Sequence, residues 1–293
     1  MSYNIPISMS QKTCLITGAT SGIGRAAAMA LARQGFRVII VARNKDKAEA
    51  TCRRIRQVTR NEAVSWYLCD LSLLRDVQAL ASQLRNDLDS LDVLINNAGA
   101  RFLRHQLTPE GIELTLATNH LGHFVLTLSL LDLLERSAEA RIINVASGAH
   151  YGADGVIENI LRPEEYDGKK QYARSKLANV LFTYALAERL KDRQSRITVN
   201  AADPGGVATN FARNNGLIPW LKHRLYYLSK RQLLSPARGA EIVVYLASSP
   251  EVRGATGKYF FEKKERRSSA ASYDIENQRK LWELSQALSG LGH

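Results

Sequence analysis

Long apolar runs are missing from this chain. No stretch of its 293 residues approaches the ~18–20 apolar residues a membrane-spanning helix requires. The opening segment, MSYNIPISMSQKT, has neither the basic flank nor the apolar stretch of a secretory signal. Cysteine is scarce. Cys14, Cys52 and Cys69 are odd in number and form no C-x-x-C pair, which points to small buried thiols rather than a disulfide framework or a zinc site. His105, His120 and His123 have no metal-ligand spacing to Cys or acids, so no metal is expected and they read as structural. Seven prolines and 19 glycines exclude a collagenous or low-complexity chain. The expectation is a soluble cytoplasmic protein.

Acidic residues are also few. Against 40 Lys and Arg stand 28 Asp and Glu, a net charge of +12. The excess is uneven: positions 25–60 hold ten basic residues and two acidic ones, and 213–231 hold five basic and none acidic. Such a field attracts anions, among them phosphorylated cofactors, acidic lipids and nucleic acid. No zinc-finger spacing or RNP-like aromatic motif accompanies it, so nucleic acid is not the expected partner.

What is present is alternation. With 45% hydrophobic and 23% charged residues, the composition is globular. Apolar, β-branched runs at 12–17, 36–42, 63–69, 91–96, 141–146, 197–202 and 258–261 read as strands. Amphipathic segments at 22–34, 45–58, 73–88, 109–134, 172–191, 237–248 and 275–288 read as helices, the fourth as two. Near-continuous apolar strands suit burial on both faces, and this spacing implies right-handed βαβ units. The fold class is α/β: a single doubly wound, Rossmann-type domain over 12–261, with a mostly seven-stranded parallel sheet flanked by helices. An N-terminal extension spans 1–11, and a C-terminal amphipathic helix and tail span 262–293. Pro109 and Pro236 sit at helix starts in this parsing, where a missing N–H does no harm.

The first strand runs into Thr17-Gly18-Ala19-Thr20-Ser21-Gly22-Ile23-Gly24 and then a helix. This is a G-x-x-x-G-x-G turn, which lets a pyrophosphate approach the backbone beside a helix N-terminus. After the second strand come Arg43 and Asn44, where an NAD-preferring enzyme usually offers a carboxylate to the ribose 2′-hydroxyl. Arg43 instead offers charge-assisted bonds to a 2′-phosphate, so the expected cofactor is NADP(H).

At this point the residues resemble the short-chain dehydrogenase/reductase family over about 12–261. Besides T-G-x-x-x-G-I-G, with Ser21 and Ile23 inside the cofactor turn, further marks fall in the family's order. Asp70, followed by Leu71, stands where the family contacts adenine. Asn96-Asn97-Ala98-Gly99 matches the N-N-A-G segment. Asn119 matches the helix asparagine of the catalytic tetrad, and Ser147 the catalytic serine. Tyr172-Ala173-Arg174-Ser175-Lys176 matches Y-x-x-x-K. Pro204-Gly205, Val207 and Thr209 match the segment that packs on the nicotinamide. Y-x-x-x-K alone is weak, for it occurs at Tyr166/Lys170, Tyr172/Lys176, Tyr226/Lys230 and Tyr259/Lys263. Only Tyr172 opens a long helix after a strand ending in serine, and the four-residue spacing puts it on one helix face with Lys176.

The chemistry implied is hydride transfer between nicotinamide and a carbonyl or alcohol. Tyr172 serves as general acid or base, and the cation of Lys176 favours its phenolate and holds the nicotinamide ribose. Ser147 donates to the substrate oxygen. Asn119, as the family implies, helps hold a water linking Lys176 to solvent, although Thr118-Asn119 also suits a helix cap. Ala146-Ser147-Gly148-Ala149-His150, Gly257-Lys258-Tyr259-Phe260 and the tail around Trp282 resemble the retinol dehydrogenase-like reductases, which act on apolar aldehydes, ketones or alcohols. Ala146 and Asp203 depart from that branch, and so does the lack of a hydrophobic anchor, which favours a soluble carbonyl reductase. Segment 206–232 reads as a substrate lid or as a surface docking on membrane or partner. A homo-oligomer through the helices of Asn119 and Tyr172 is implied by resemblance alone. The competing readings are an NADP(H)-binding regulatory or scaffold protein without turnover, and a nucleic-acid or membrane-surface binder using the +12 charge.

Overall fold

The computed structural model describes residues 11–161, 166–207, 215–216 and 234–291. Its strands are β1 Thr13–Thr17, β2 Arg37–Ala42, β3 Val64–Leu68, β4 Val93–Asn96, β5 Arg141–Val145, β6 Thr198–Asp203, β7 Lys258–Phe261 and β8 Lys264–Glu265. Its helices are α1 Gly22–Arg33, α2 Lys45–Thr59, α3 Leu74–Asp87, α4 Leu114–Leu116, α5 Gly122–Ser129, α6 Leu131–Glu135, α7 Glu158–Leu161, α8 Gly168–Asp192, α9 Pro236–Ser248 and α10 Ile275–Ser289. A π-helical turn, Ala117–Leu121, joins α4 to α5.

The sheet order is β3-β2-β1-β4-β5-β6-β7-β8, parallel throughout except for the antiparallel β7–β8 pair. The order reverses between β1 and β4, and a doubly wound sheet takes its ligand at such a reversal, beyond the strands' carboxyl ends. One apolar core, with Ala28, Leu31, Ile55 and Val243 from α1, α2 and α9, covers one face. The other, with Leu80, Phe124, Leu177 and Leu181 from α3, α5 and α8, covers the opposite face. β1 and β5 are buried along their whole length, as the apolar runs imply. β3 is the exception. As an edge strand it leaves Leu68 47% exposed. The three cysteines are buried.

Three sequence readings need correction. The sheet has eight strands among the described residues, not seven. The extra pair closes through Glu262 and Lys263, both at positive φ. Two charged residues in a left-handed turn lack the Asn-Gly signature by which a hairpin is read. Pro109 does not start a helix. It lies in a turn where Thr108 Oγ1 accepts from the N–H groups of Glu110 and Ile112, and helix begins only after Glu113, whose carboxylate caps Thr115 and Leu116. Tyr172 does not open its helix either: Asp167 caps α8, which starts at Gly168. The C-terminal helix α10 packs on α5 and α8. Trp282 packs edge-on against Phe124 at 5.2 Å and tilted against Phe182 at 6.0 Å. No helix among the described residues is long and apolar enough to cross a membrane.

Candidate active site

Two backbone segments meet at the reversal point. Gly18 has φ +66°, and a Cβ there would stand 2.8 Å from Ala98 Cα. A Cβ on Gly24 would fall 2.4 Å from Asn97 Nδ2. These two positions therefore exclude a side chain because the Asn97–Ala98–Gly99 segment lies against the turn. Asn97 Nδ2 donates to Thr17 O at 2.7 Å, while Thr17 Oγ1 accepts from the N–H groups of Asn97 (2.9 Å) and Ala98 (3.0 Å).

The turn delivers an open helix end. Ser21 is the N-cap of α1 yet makes no side-chain cap bond, and the first turn, with Gly22 and Ile23, holds no acid. By contrast, Asn44, Asp167, Ser235 and Asp274 cap α2, α8, α9 and α10, and the Glu110 carboxylate closes α3. Beside this end, Arg43 and Asp70 line one cleft of about 330 Å³ with Cys69, Asp76, Leu80 and Gln83. Asp70 is fixed by Ser72, which donates to it from its N–H (3.0 Å) and hydroxyl (2.7 Å). Leu71 is buried, with its carbonyl pressed against Gly122. An uncapped dipole and a close-approach turn, with an exposed guanidinium just past the neighbouring strand, fit a phosphorylated dinucleotide.

The candidate reacting groups lie across the rim. Ser147 lies two residues beyond β5, half-buried; its Oγ accepts from Ala149 N–H at 3.2 Å, a contact that does not use the hydroxyl hydrogen. Tyr172 is likewise half-buried, in the second turn of α8. Lys176 is buried. Its Nζ donates to Val145 O at 2.8 Å and sits 5.8 Å from the centre of the Tyr172 ring. Burial pushes Lys176 down to about 8, with the charge of Asp203 opposing the fall. Of the other Y-x-x-x-K matches, Tyr259 lies in β7, Tyr166 lies before α8 and donates to Phe102 O, and Tyr226 is outside the described residues.

Asn119 sits in the π turn, a local widening often found at functional sites. Its side chain is fully engaged. Oδ1 accepts from Ala100 N–H (2.8 Å), and Nδ2 donates to Ala100 O and to Ser175 Oγ (both 2.9 Å). It ties the loop after Gly99 to α8, and within 4 Å of a Cβ built on Gly99 stand both Asn119 Oδ1 and Lys176 Nζ. Beneath it, a buried ladder anchors both helices to the sheet. Asn96 Nδ2 donates to Thr127 Oγ1 of α5 and to Asn144 Oδ1, and Asn144 Nδ2 donates to Thr183 Oγ1 of α8.

Three further residues join the site's surroundings, of which the sequence weighed only His150, as a candidate border of the substrate. His123 Nδ1 faces Asn119 O at 3.1 Å and its Nε2 faces Thr17 Oγ1 at 2.9 Å. Burial holds this ring down at about 3, so it is neutral. The carbonyl requires Nδ1–H, hence Nε2 accepts the Thr17 hydroxyl, and one ring links the cofactor turn to Asn119. The i, i+4 spacing of Asn119 and His123 was the only signal. His150 Nε2 accepts from Ser269 N–H (3.0 Å), so its Nδ1 carries the proton toward Ser147 O (2.8 Å). It clamps the serine turn to the C-terminal segment. Asp203, noted only as a departure, is buried at the end of β6. Beyond it, Pro204 is buried, Gly205 has φ +73°, and Val207 pairs with Leu234 and packs on Gly239. Thr209 lies outside the described residues, as does most of the 206–232 segment.

The short chain dehydrogenase family pattern matches residues 12–217. Human retinol dehydrogenase 14 is 39% identical over 97% of this chain and 88% of its own length. An uncharacterised protein from Mycobacterium paratuberculosis superposes with a TM-score of 0.76 at 31% identity, covering 96% of this chain and 94% of that one. A Pseudomonas aeruginosa NADP active-site complex superposes with a TM-score of 0.68 at 26% identity, over 86% of this chain and 95% of that one.

Proposed function

This chain belongs to the short-chain dehydrogenase family and is an oxidoreductase of that kind, and from that premise we propose that it reduces an apolar aldehyde or ketone with NADPH, or oxidises the corresponding alcohol with NADP⁺. The observation that carries the reading is the half-buried Tyr172 hydroxyphenyl beside the buried Lys176, on the same rim as Ser147 and the open end of α1.

The turn 18–24 and the first turn of α1 would hold the pyrophosphate. Arg43 would take the 2′-phosphate, Asp70 and Leu71 the adenine side, Asn97–Gly99 and Lys176 the nicotinamide half, and Pro204, Gly205, Val207 and Thr209 its outer face. Bound NADPH supplies the hydride. The protein's task is then to hold the carbonyl oxygen and neutralise the negative charge that grows on it. Ser147 donates its unused hydroxyl hydrogen to that oxygen, and Tyr172 delivers the proton from its phenol. Lys176, fixed on Val145 O, sets a positive charge one helical turn from that phenol, which eases proton loss. Asn119 acts by position, holding the loop after Gly99 against α8. The Pseudomonas aeruginosa neighbour carries NADP, and the human relative is named for retinol, which supports both cofactor and an apolar substrate. In this reading the small molecule rather than nucleic acid is the partner.

NADPH oxidation monitored against a panel of long-chain aliphatic and polyene aldehydes tests the proposal. Tyr172→Phe should lower kcat/KM by about 10²–10⁴-fold while NADPH still binds. Wild-type protein that binds NADPH but turns over no carbonyl would instead favour the scaffold reading.

A further inference from the structure

One buried carboxylate beside this site has no part in the steps above. Asp203 is 7% exposed, and neutral donors hold it: Tyr259 gives its hydroxyl to Oδ2 at 2.6 Å, and Gly205 gives its N–H to Oδ1 at 2.9 Å. Hydrogen bonds of that kind satisfy the oxygens without cancelling the charge, and an uncompensated buried charge is expensive. The register brings it to the site's cation. Lys176 Nζ is fixed on Val145 O, Val145 pairs with Ala202, and Asp203 is next along β6. Its Oδ2 also lies 3.3 Å from where a Cβ on Gly148 would stand, against the turn that begins at Ser147.

We propose that Asp203 is a positioning residue for proton transfer: the buried counter-charge of Lys176, which keeps the Tyr172–Lys176 pair fully protonated. The proposal rests on the carbonyl-reduction reading. The groups around Lys176 leave Asp203 as its counter-charge. Its own helix contributes Tyr172. The π turn and α5 contribute Asn119, which has no charge, and His123, held neutral by burial. β5 contributes a carbonyl, and β7 contributes Tyr259, whose proton burial and Asp203 hold on. His150, on the serine turn, is pushed down by burial, and Asp203 pulls it the other way. The carboxylate thus acts on the groups around the reacting oxygen without reaching it.

Asp203→Asn keeps the shape but removes the charge; its Oδ1 still accepts from Gly205 N–H, while its Nδ2 donates to the Tyr259 oxygen in place of accepting that hydroxyl. Without the neighbouring negative charge, the pair gives up its first proton more easily. Reduction needs the pair fully protonated, and oxidation needs it one proton short. The alkaline limb of kcat/KM for carbonyl reduction and the acid limb for alcohol oxidation should therefore both move to lower pH, by about one unit. The pH at which NADPH affinity falls, followed by its fluorescence, should move the same way. Asp203→Glu should keep the wild-type limbs. Tyr259→Phe removes the clamp and leaves the charge, so it should lower kcat without moving them. If Asp203→Asn does not fold, as judged by its melting profile, Asp203→Gln is read in its place.

Limbs that stay put in a folded neutral variant overturn the proposal. So does an equal shift in Tyr259→Phe, which would assign the effect to the clamp. Both results leave the Tyr172 reading standing. A wild-type enzyme that reduces no carbonyl removes that reading, and this proposal with it.

Discussion

Arg43 follows a strand end where an acid would repel phosphate, and it shares its cleft with Asp70. A charge-assisted bond to phosphate contributes about 1.5–3 kcal/mol, roughly 10–100-fold in affinity. Arg43→Asp should therefore raise KM for NADPH by that factor and shift the NADPH/NADH preference toward NADH. An unchanged ratio of kcat/KM values would remove the cofactor assignment. The same scale explains why Gly18 and Gly24 are glycine: Ala98 occupies the space a side chain on Gly18 would need, and the Asn97 amide and the Gly18 carbonyl occupy that beside Gly24. It also describes Asn119, whose amide ties the loop at Ala100 to Ser175 of α8.

Among the elements, α10 is tied most directly to the site's surroundings. His120, the neighbour of Asn119, meets Ser285 of α10 at 2.9 Å. Ser285 gives its own hydroxyl to Leu281 O, so the ring donates to it from Nε2. Trp282 packs at 5.2 Å from Phe124 and lies under the Arg189 guanidinium at 3.9 Å. A Trp→Ala change at a packed site costs about 3–5 kcal/mol. Trp282→Ala should cost about that much in a denaturant titration, with the first signs of self-association as Phe124 and Phe182 come into contact with water. A loss below about 1 kcal/mol would mean that α10 rests on the surface rather than completing the core. The serine turn is held in a similar way, because His150 is pinned by Ser269 of the same C-terminal segment.

For the whole molecule, acid is the expected weakness. Burial holds His120 at about 4 and His123 at about 3, against an ordinary value of about 6.5 in the unfolded chain. Their folded values are depressed, so the unfolded chain takes up protons first as pH falls. Stability from this source is full above about pH 6.5, and each ring removes about 1.4 kcal/mol per pH unit below it. Urea titrations at pH 7 and pH 5.5 should differ by about 2–3 kcal/mol, with the folded state weaker in acid. Equal stability at the two values would mean that the rings are hydrated or already charged. The +12 charge adds self-repulsion in the same direction.

Local rules made part of this legible without coordinates. β-branched runs, helix periodicity and a glycine turn are short-range signals, so they gave the parallel sheet, most of its strands and the turn over Gly18–Gly24. The candidate catalytic residues came from motifs in a family's order, which spacing alone would not have separated from three other Y-x-x-x-K pairs. The weakest boundaries were those set by side-chain caps: Glu113 and Asp167 moved two helix starts. What the chain could not announce were partnerships between residues far apart in sequence. Thr17 finds His123, His150 finds Ser269, and Asp203 finds Tyr259 and comes beside Gly148. Each depends on strand order and burial, and burial is what turns a histidine into a neutral link and a carboxylate into a counter-charge.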